Sequence, residues 1–122
     1  MGRVLHFELP ASDPERAVDF YSKVFGWKFG KWEGPIEYWM VMTGPEGTPG
    51  INGGLLRRND HVKGTTNTLA VDSVDATAKA VTAAGGKQVT SKMPIPGIGY
   101  FAYCEDTEGN LFGVMQADKA AK

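Results

Sequence analysis

The sequence predicts an α+β fold in which one βαβββ unit is used twice, and three observations predict it. Residues 6–29, HFELPASDPERAVDFYSKVFGWKF, can be laid over residues 66–89, TNTLAVDSVDATAKAVTAAGGKQV, so that Leu9 meets Leu69, Asp13 meets Ser73 and Gly26 meets Gly86. Within each copy, a segment of strand-like alternation passes into one with helical spacing. After each helix come three strand-like runs separated by turns that carry Gly or Pro. A duplicated unit builds a pseudo-symmetric body, and in such a body the ligand site usually lies where the units face each other. Differences between the copies therefore bear on function.

Residues 4–9 alternate as a strand, with Leu5, Phe7 and Leu9 on one face and Val4, His6 and Glu8 on the other. Ser12-Asp13-Pro14-Glu15 reads as a helix start, with a capping side chain, Pro in the first turn and an acidic group near the helix N-terminus. Ala17, Phe20, Tyr21, Val24 and Phe25 recur at helical spacing and predict a helix covering the Leu5, Phe7, Leu9 face. Gly26 ends it where a left-handed residue costs least. Strands are predicted at 27–32, 37–43 and 51–57. In the second copy a strand at 68–72 leads to a helix over 74–84 closed by Gly85-Gly86, then to strands near 87–91, 99–105 and 111–116. The turn Gly44-Pro45-Glu46-Gly47 falls where Asp106-Thr107-Glu108-Gly109 falls in the later copy. The polar stretch 58–65 is expected to cross the surface between a first module of about 1–57 and a second of about 66–117, and residues 117–122 are expected to fray.

With 122 residues, 42% hydrophobic and 22% charged, the composition suits one compact domain. A formal net charge of -1 and the lack of any Lys/Arg run argue against a nucleic-acid partner. No apolar stretch reaches the roughly 20 residues of a membrane helix, and the start of the chain has no signal-peptide pattern, so a cytoplasmic protein without a membrane partner is expected. The single Cys104 has no internal disulfide partner and is expected to be a buried strand residue rather than a catalytic thiol. Neither a Ser-His-Asp order nor a phosphate loop nor a Cys cluster is present.

The two βαβββ units, the helix ending FYSKVFGW, the AAGGK after the second helix and the DTEGN turn before the last strand together resemble the vicinal oxygen chelate superfamily. That group contains glyoxalase I, bleomycin-resistance proteins and extradiol dioxygenases. The resemblance spans nearly the whole chain. It implies a half-open β cup formed by the two modules, usually in a homodimer, often with a divalent metal held on the concave face by His, Gln and Glu. Laid onto this chain, the first ligand position is His6, turned toward the cup. The position opening the second unit, commonly another His, is Thr66, or Asn67 if the register is shifted by one. The last-strand Glu position, three residues after the Asn of the turn, is Gly113, and the remaining position falls within Gly53-Gly54-Leu55-Leu56. His6 is thus the only retained ligand position. A divalent site normally takes three or more protein ligands, so no tightly bound metal and no other cofactor is expected. Glu8, two residues along the same strand face, could join His6 to hold a divalent ion weakly, or form with it a hydrogen-bonded pair that contacts a ligand or water.

Trp27, Trp32, Tyr38, Trp39, Tyr100, Phe101 and Tyr103 all fall in strands or at their edges, and two short helices cannot bury them all. An aromatic-walled cup suits a flat or amphipathic small organic molecule. The candidate ligand-binding residues are His6, Glu8, Trp39, Thr66, Tyr103, Gly113 and Met115, with His6 and Glu8 as the candidate catalytic pair. The apolar segment 93–99, MPIPGIG, is a candidate lid, and at most one of Arg57 and Arg58 can face the cup to hold an anionic group.

Two classes of function follow. One is a non-catalytic protein that sequesters a small molecule, like the bleomycin-resistance members. The other is an enzyme: a metal-dependent lyase, isomerase or dioxygenase of lactoylglutathione-lyase type with a remodelled ligand set, or a metal-free catalyst that moves protons with His6 and Glu8. Thr66 and Gly113 count against glyoxalase I activity itself, because that route needs a metal to polarise the enediolate oxygens.

Overall fold

The computed structural model describes residues 2–34 and 36–122. Its elements are β1 (Val4–Ala11), α1 (Pro14–Phe25), β2 (Lys28–Lys31), β3 (Tyr38–Met42), β4 (Gly53–Arg57), β5 (Thr66–Ala70), α2 (Val74–Ala83), β6 (Lys87–Gln88), β7 (Met93–Ile95), β8 (Gly99–Glu105) and β9 (Leu111–Ala117). The fold is α+β, as predicted, and the chain falls into two compact units: His6–Thr66, and Asn67–Lys122 together with residues 2–5. Among the described residues no helix is long and apolar enough to cross a membrane.

In the first unit the strand order is β2-β3-β4-β1. β1 and β4 run parallel, with Phe7 opposite Gly53, Glu8 opposite Gly54 and Leu9 opposite Leu55, while β3 is antiparallel to both of its neighbours. Helix α1 starts where the sequence places it. Asp13 accepts a hydrogen bond from the Arg16 N–H at 3.2 Å, Pro14 occupies the first turn, and Gly26 ends the helix in the left-handed conformation. Ala17 and Val18 pack with Phe7, Leu9, Trp27 and Phe29 against a core of Ala11, Trp39, Val41 and Leu55. The apolar stripe of α1 is only partly used, however. Phe20, Val24 and Phe25 are more than half exposed, as is Leu5. The helix face that reaches the sheet is centred on residues 17, 18 and 21, so Phe20 and Val24 lie to one side of it, and Phe25 is the helix's last residue. Tyr21 stacks on Trp27 with centroids 4.7 Å apart and planes 5° from parallel.

In the second unit the order is β5-β9-β8-β6, and β7 pairs with β8. β5 and β9 are parallel with Thr68 opposite Gly113; β8 and β9 are antiparallel with Tyr103 opposite Gly113 and Phe101 opposite Met115. Ser73, the counterpart of Asp13, caps α2 through the Ala76 N–H, and the Gln116 side chain accepts from the Val74 N–H at 3.0 Å. Val74, Ala102, Cys104 and Val114 form the buried core. Cys104 is fully buried, and desolvation pushes its thiol pKa up, which makes it an inert packing residue.

Two expectations are corrected, and one residue departs from a third. The candidate lid at 93–99 opens with β7, whose Met93, Pro94 and Ile95 pair with Phe101, Tyr100 and Gly99, so this segment belongs to the sheet. Residues 117–122 do not fray: β9 includes Ala117, the Asp118 N–H donates to the Ile98 carbonyl at 2.8 Å, and Ala121 is buried and accepts from the Gly97 N–H at 2.9 Å. Within the polar crossover, Val62 is fully buried, with its N–H held by the Asn59 side chain.

Candidate functional site

Alternation gives each sheet two faces, and the helix occupies one of them. In the first unit Phe7, Leu9, Trp39, Val41 and Leu55 face α1, which turns His6 and Glu8 of β1, Tyr38, Met40 and Met42 of β3, and Gly54 and Leu56 of β4 the other way. On this second face lies an open groove of about 720 Å³ lined by His6, Gly30, Trp32, Met40, Met42 and Asn52, with Lys31 and Glu33 also on its wall. Met40 and Met42 are nearly half exposed. The Trp32 ring meets Tyr38 edge-on at 6.3 Å.

The polar centre of this face is a pair. The His6 Nε2 lies 2.8 Å from the Tyr38 hydroxyl. Tyr38 does not stand upright from β3. It leans over Gly54, so that a Cβ at residue 54 would collide with the Tyr38 oxygen and ring. Burial lowers the His6 pKa below its ordinary value of 6.5, so the imidazole is neutral at pH 7. Glu8, two residues on, is 6% exposed.

Of the other predicted site residues, Trp39 is corrected. It is buried in the α1-side core, on the face opposite His6, with the Lys31 ammonium 5.2 Å from its ring centre. β3 reads Tyr-Trp-Met-Val-Met, apolar on both faces, so only the pairing of Trp39 with the buried Leu55 reveals which way it points. Arg57 and Arg58 are held by the protein itself: Arg57 pairs with Glu37 at 3.0 Å and donates to the Ser12 carbonyl, and Arg58 donates to the Ser12 hydroxyl. His61 is exposed, with its backbone N–H donated to Asn59.

In the second unit Tyr103, Gly113 and Met115 share the face of the sheet away from α2, together with Phe101 and Thr68. Thr66 lies on the same face of β5 as Thr68. Each is 5% exposed, and neither hydroxyl has a hydrogen-bond partner among the described residues. A Cβ at Gly113 would meet the Phe101 ring at 2.5 Å and the Thr68 Oγ1 at 3.2 Å. Phe101 and Tyr103 contact each other edge-on at 4.7 Å.

The family model described as Glyoxalase/Bleomycin resistance protein/Dioxygenase superfamily matches residues 3–114. The chain belongs to this superfamily. A glyoxylase-like domain-containing protein of Didymella fabae is 34% identical over 119 residues, which cover 93% of this chain and 92% of that one. A putative glyoxylase of Mycobacterium bovis, CFP32, is 30% identical over 127 residues; the match covers 94% of this chain but 44% of the mycobacterial protein, so the chain spans less than half of that relative. Among solved structures, a methylmalonyl-CoA epimerase in complex with methylmalonyl-CoA and NH4+ superposes with a TM-score of 0.72 at 17% identity, covering 100% of this chain and 99% of that one. The methylmalonyl-CoA epimerase from Mycobacterium tuberculosis gives 0.69 at 14% identity, over 96% and 88% of the two chains. These likenesses carry the fold of the glyoxalase superfamily. Of the places where the superfamily resemblance expects metal-binding side chains, the stretch 53–56 includes Gly54 beneath Tyr38, the last-strand position is Gly113 beneath Phe101, and the position opening the second unit is the buried Thr66 or, with the register shifted by one, the exposed Asn67. Among the described residues no group of three His, Cys, Asp or Glu side chains could hold a metal ion.

Met40, Met42 and Thr68 share these faces and were not selected by sequence reasoning, while Tyr38 was named only among the aromatic residues expected to wall the cup and Gly54 only within the stretch 53–56. The signal for Thr68 was available: it lies two residues from Thr66 on the strand that repeats β1. The signal for Met40 and Met42 was the parity of β3, which the sequence leaves ambiguous.

Proposed function

We propose that this superfamily member binds a small organic molecule on the helix-free faces of its sheets, with the metal site usual in the resemblance largely lost. The observation that carries this reading is the His6–Tyr38 pair. The one retained ligand position has its Nε2 hydrogen-bonded to a phenol, the last-strand position is a glycine overlain by a ring, and the stretch that holds the remaining position contains Gly54, overlain by Tyr38. Binding predicts ligand-induced thermal stabilisation without turnover. Metal content by mass spectrometry after tag-free purification tests the other half: about one equivalent of zinc, nickel, manganese or iron per chain would overturn the metal-free reading.

A second reading is favoured by the neutral state of His6. An unprotonated imidazole in a groove is a competent general base, so a metal-free enzyme that moves a proton with His6, and with Glu8 nearby, is the enzymatic alternative. It predicts product formation that disappears in His6→Ala and survives chelation. Lactoylglutathione formation from methylglyoxal and glutathione is not expected above background. We further infer a cytoplasmic homodimer, as the resemblance implies, which analytical ultracentrifugation tests directly.

A further inference from the structure

The His6 ring reaches the groove with one nitrogen engaged and one available. Its only hydrogen bond among the described residues joins Nε2 to the Tyr38 hydroxyl. Nδ1 makes none, and the buried side-chain atoms sealed off without a partner are the Thr66 and Thr68 hydroxyls, not this nitrogen. The hydroxyl of Tyr38 sits where it does because Gly54 has no side chain to exclude it. Beside the imidazole, Met40 and Met42 present thioethers from one face of β3, and Trp32 closes a wall. Thioethers pack favourably against flat rings. The charged side chains around the ring are Glu8, buried on the same strand face, and Lys31 and Glu33 on the groove wall; two carboxylates stand against one ammonium, which itself lies over the Trp39 ring, so a negatively charged molecule is disfavoured.

We propose that this groove takes a flat, uncharged organic molecule bearing a hydroxyl group, with its ring on Met40 and Met42 and its hydroxyl on Nδ1 of His6. Tyr38, seated over Gly54, is the positioning residue that aims the imidazole. The proposal rests on the reading of this face as a ligand site. The hydroxyl follows from tautomer logic. If Tyr38 donates to Nε2, a neutral imidazole offers an N–H at Nδ1; if Nε2 donates to Tyr38, Nδ1 is an acceptor. A hydroxyl group donates and accepts, so it fits both states, whereas a carbonyl fits one.

The test uses two probes of equal shape on the full chain, 2-naphthol and naphthalene, with affinities from ligand-observed NMR. The wild type should bind 2-naphthol roughly tenfold more tightly, the increment of one good hydrogen bond. That ratio should fall to about one in His6→Ala and several-fold in Tyr38→Phe and Gly54→Ala, and in Tyr38→Phe, which removes only the hydroxyl, the affinity for naphthalene should stay within about twofold. A merely structural role for Tyr38 would weaken both probes together. The NMR titration of the His6 ring should also move in Tyr38→Phe. A ratio near one in the wild type overturns this proposal and leaves the ligand-site reading standing. Failure of both probes to bind sinks the two together. Retention of the wild-type ratio in Tyr38→Phe and Gly54→Ala refutes the positioning role.

Discussion

Replacing Gly54 by Ala should cost stability only while Tyr38 is present. A methyl group at residue 54 would run into the Tyr38 hydroxyl and ring, with Cε1 2.5 Å away, so the ring must leave, and the 2.8 Å bond to His6 leaves with it. Gly54 does not have a positive φ, so Ala meets no backbone strain there. Displacing a packed ring costs about 1–3 kcal/mol, and the lost hydrogen bond about 0.5–1.5 kcal/mol. Ala returns about 0.4–1 kcal/mol by narrowing the unfolded ensemble. The net is a loss of about 0.5–4 kcal/mol, centred near 2, against a total stability of about 5–15 kcal/mol. Tyr38→Phe, which removes only the hydroxyl, should cost about 1 kcal/mol. With Tyr38→Ala in place the collision is gone, and Gly54→Ala should be neutral or stabilising by up to about 1 kcal/mol. The cycle therefore predicts a coupling of about 2 kcal/mol. Urea unfolding followed by tryptophan fluorescence measures it, with the slope against denaturant unchanged. An equal cost of Gly54→Ala in both backgrounds would show that the ring does not rest on residue 54, and the account of the groove would fail.

Three further outcomes are expected. Because burial lowers the folded-state pKa of His6 below 6.5, the unfolded chain binds more protons in the window just beneath that value; stability is full above it and declines as pH falls through it, and the difference in stability between wild type and His6→Ala should change across the same window. Cys104, fully buried with its thiol pKa raised, should resist a disulfide-exchange reagent in the native protein and react once urea unfolds it. Leu55→Ala, in the core between α1 and the sheet, should cost about 2–5 kcal/mol in urea unfolding, whereas Phe25→Ala, at a side chain 60% exposed, should stay within about 1 kcal/mol of wild type; comparable losses at both would mean that α1 is docked differently.

The parts of the fold that were legible in the sequence are those fixed by local chemistry. Asp13 and Ser73 are caps because their oxygens reach helix N–H groups two or three residues on, a relation visible in sequence. Gly26 stops α1 by backbone conformation alone. What was not legible depends on neighbours distant in sequence. β3 is apolar on both faces, so only its register against Leu55 and Leu56 separates the buried Trp39 and Val41 from the groove-facing Met40 and Met42. β7 was hidden by Pro94 and Pro96, which suggest a loop; Pro94 is tolerated opposite Tyr100 in a strand that, among the described residues, pairs with β8 alone. In α1 the helical period was right and its phase was not, which left Phe20 and Val24 outside the buried stripe.

The two units share one device, and its asymmetry locates the chemistry. Gly54 lies opposite Glu8 and Gly113 opposite Thr68. Each glycine is covered by a ring from the diagonal position on the adjacent antiparallel strand, Tyr38 in one unit and Phe101 in the other. A ring folded over a strand glycine shields backbone that would otherwise lack side-chain cover. Tyr38 carries a hydroxyl and has His6 to receive it. Phe101 carries none, and the Thr66 and Thr68 hydroxyls beneath this face go without a partner among the described residues. Both the Phe101 Cζ and the Thr68 Oγ1 converge on the point where a Gly113 Cβ would stand, at 2.5 and 3.2 Å, so a phenol oxygen on Cζ would enter the neighbourhood of an orphaned acceptor. Phe101→Tyr is therefore expected to be neutral or stabilising by up to about 1 kcal/mol, the value of one new buried hydrogen bond, although an added atom in a packed site ordinarily costs about 1–3 kcal/mol. A thermal or urea unfolding series decides between these. A loss above about 1 kcal/mol would mean that the hydroxyl finds no partner there, and that the second unit's ring serves packing alone.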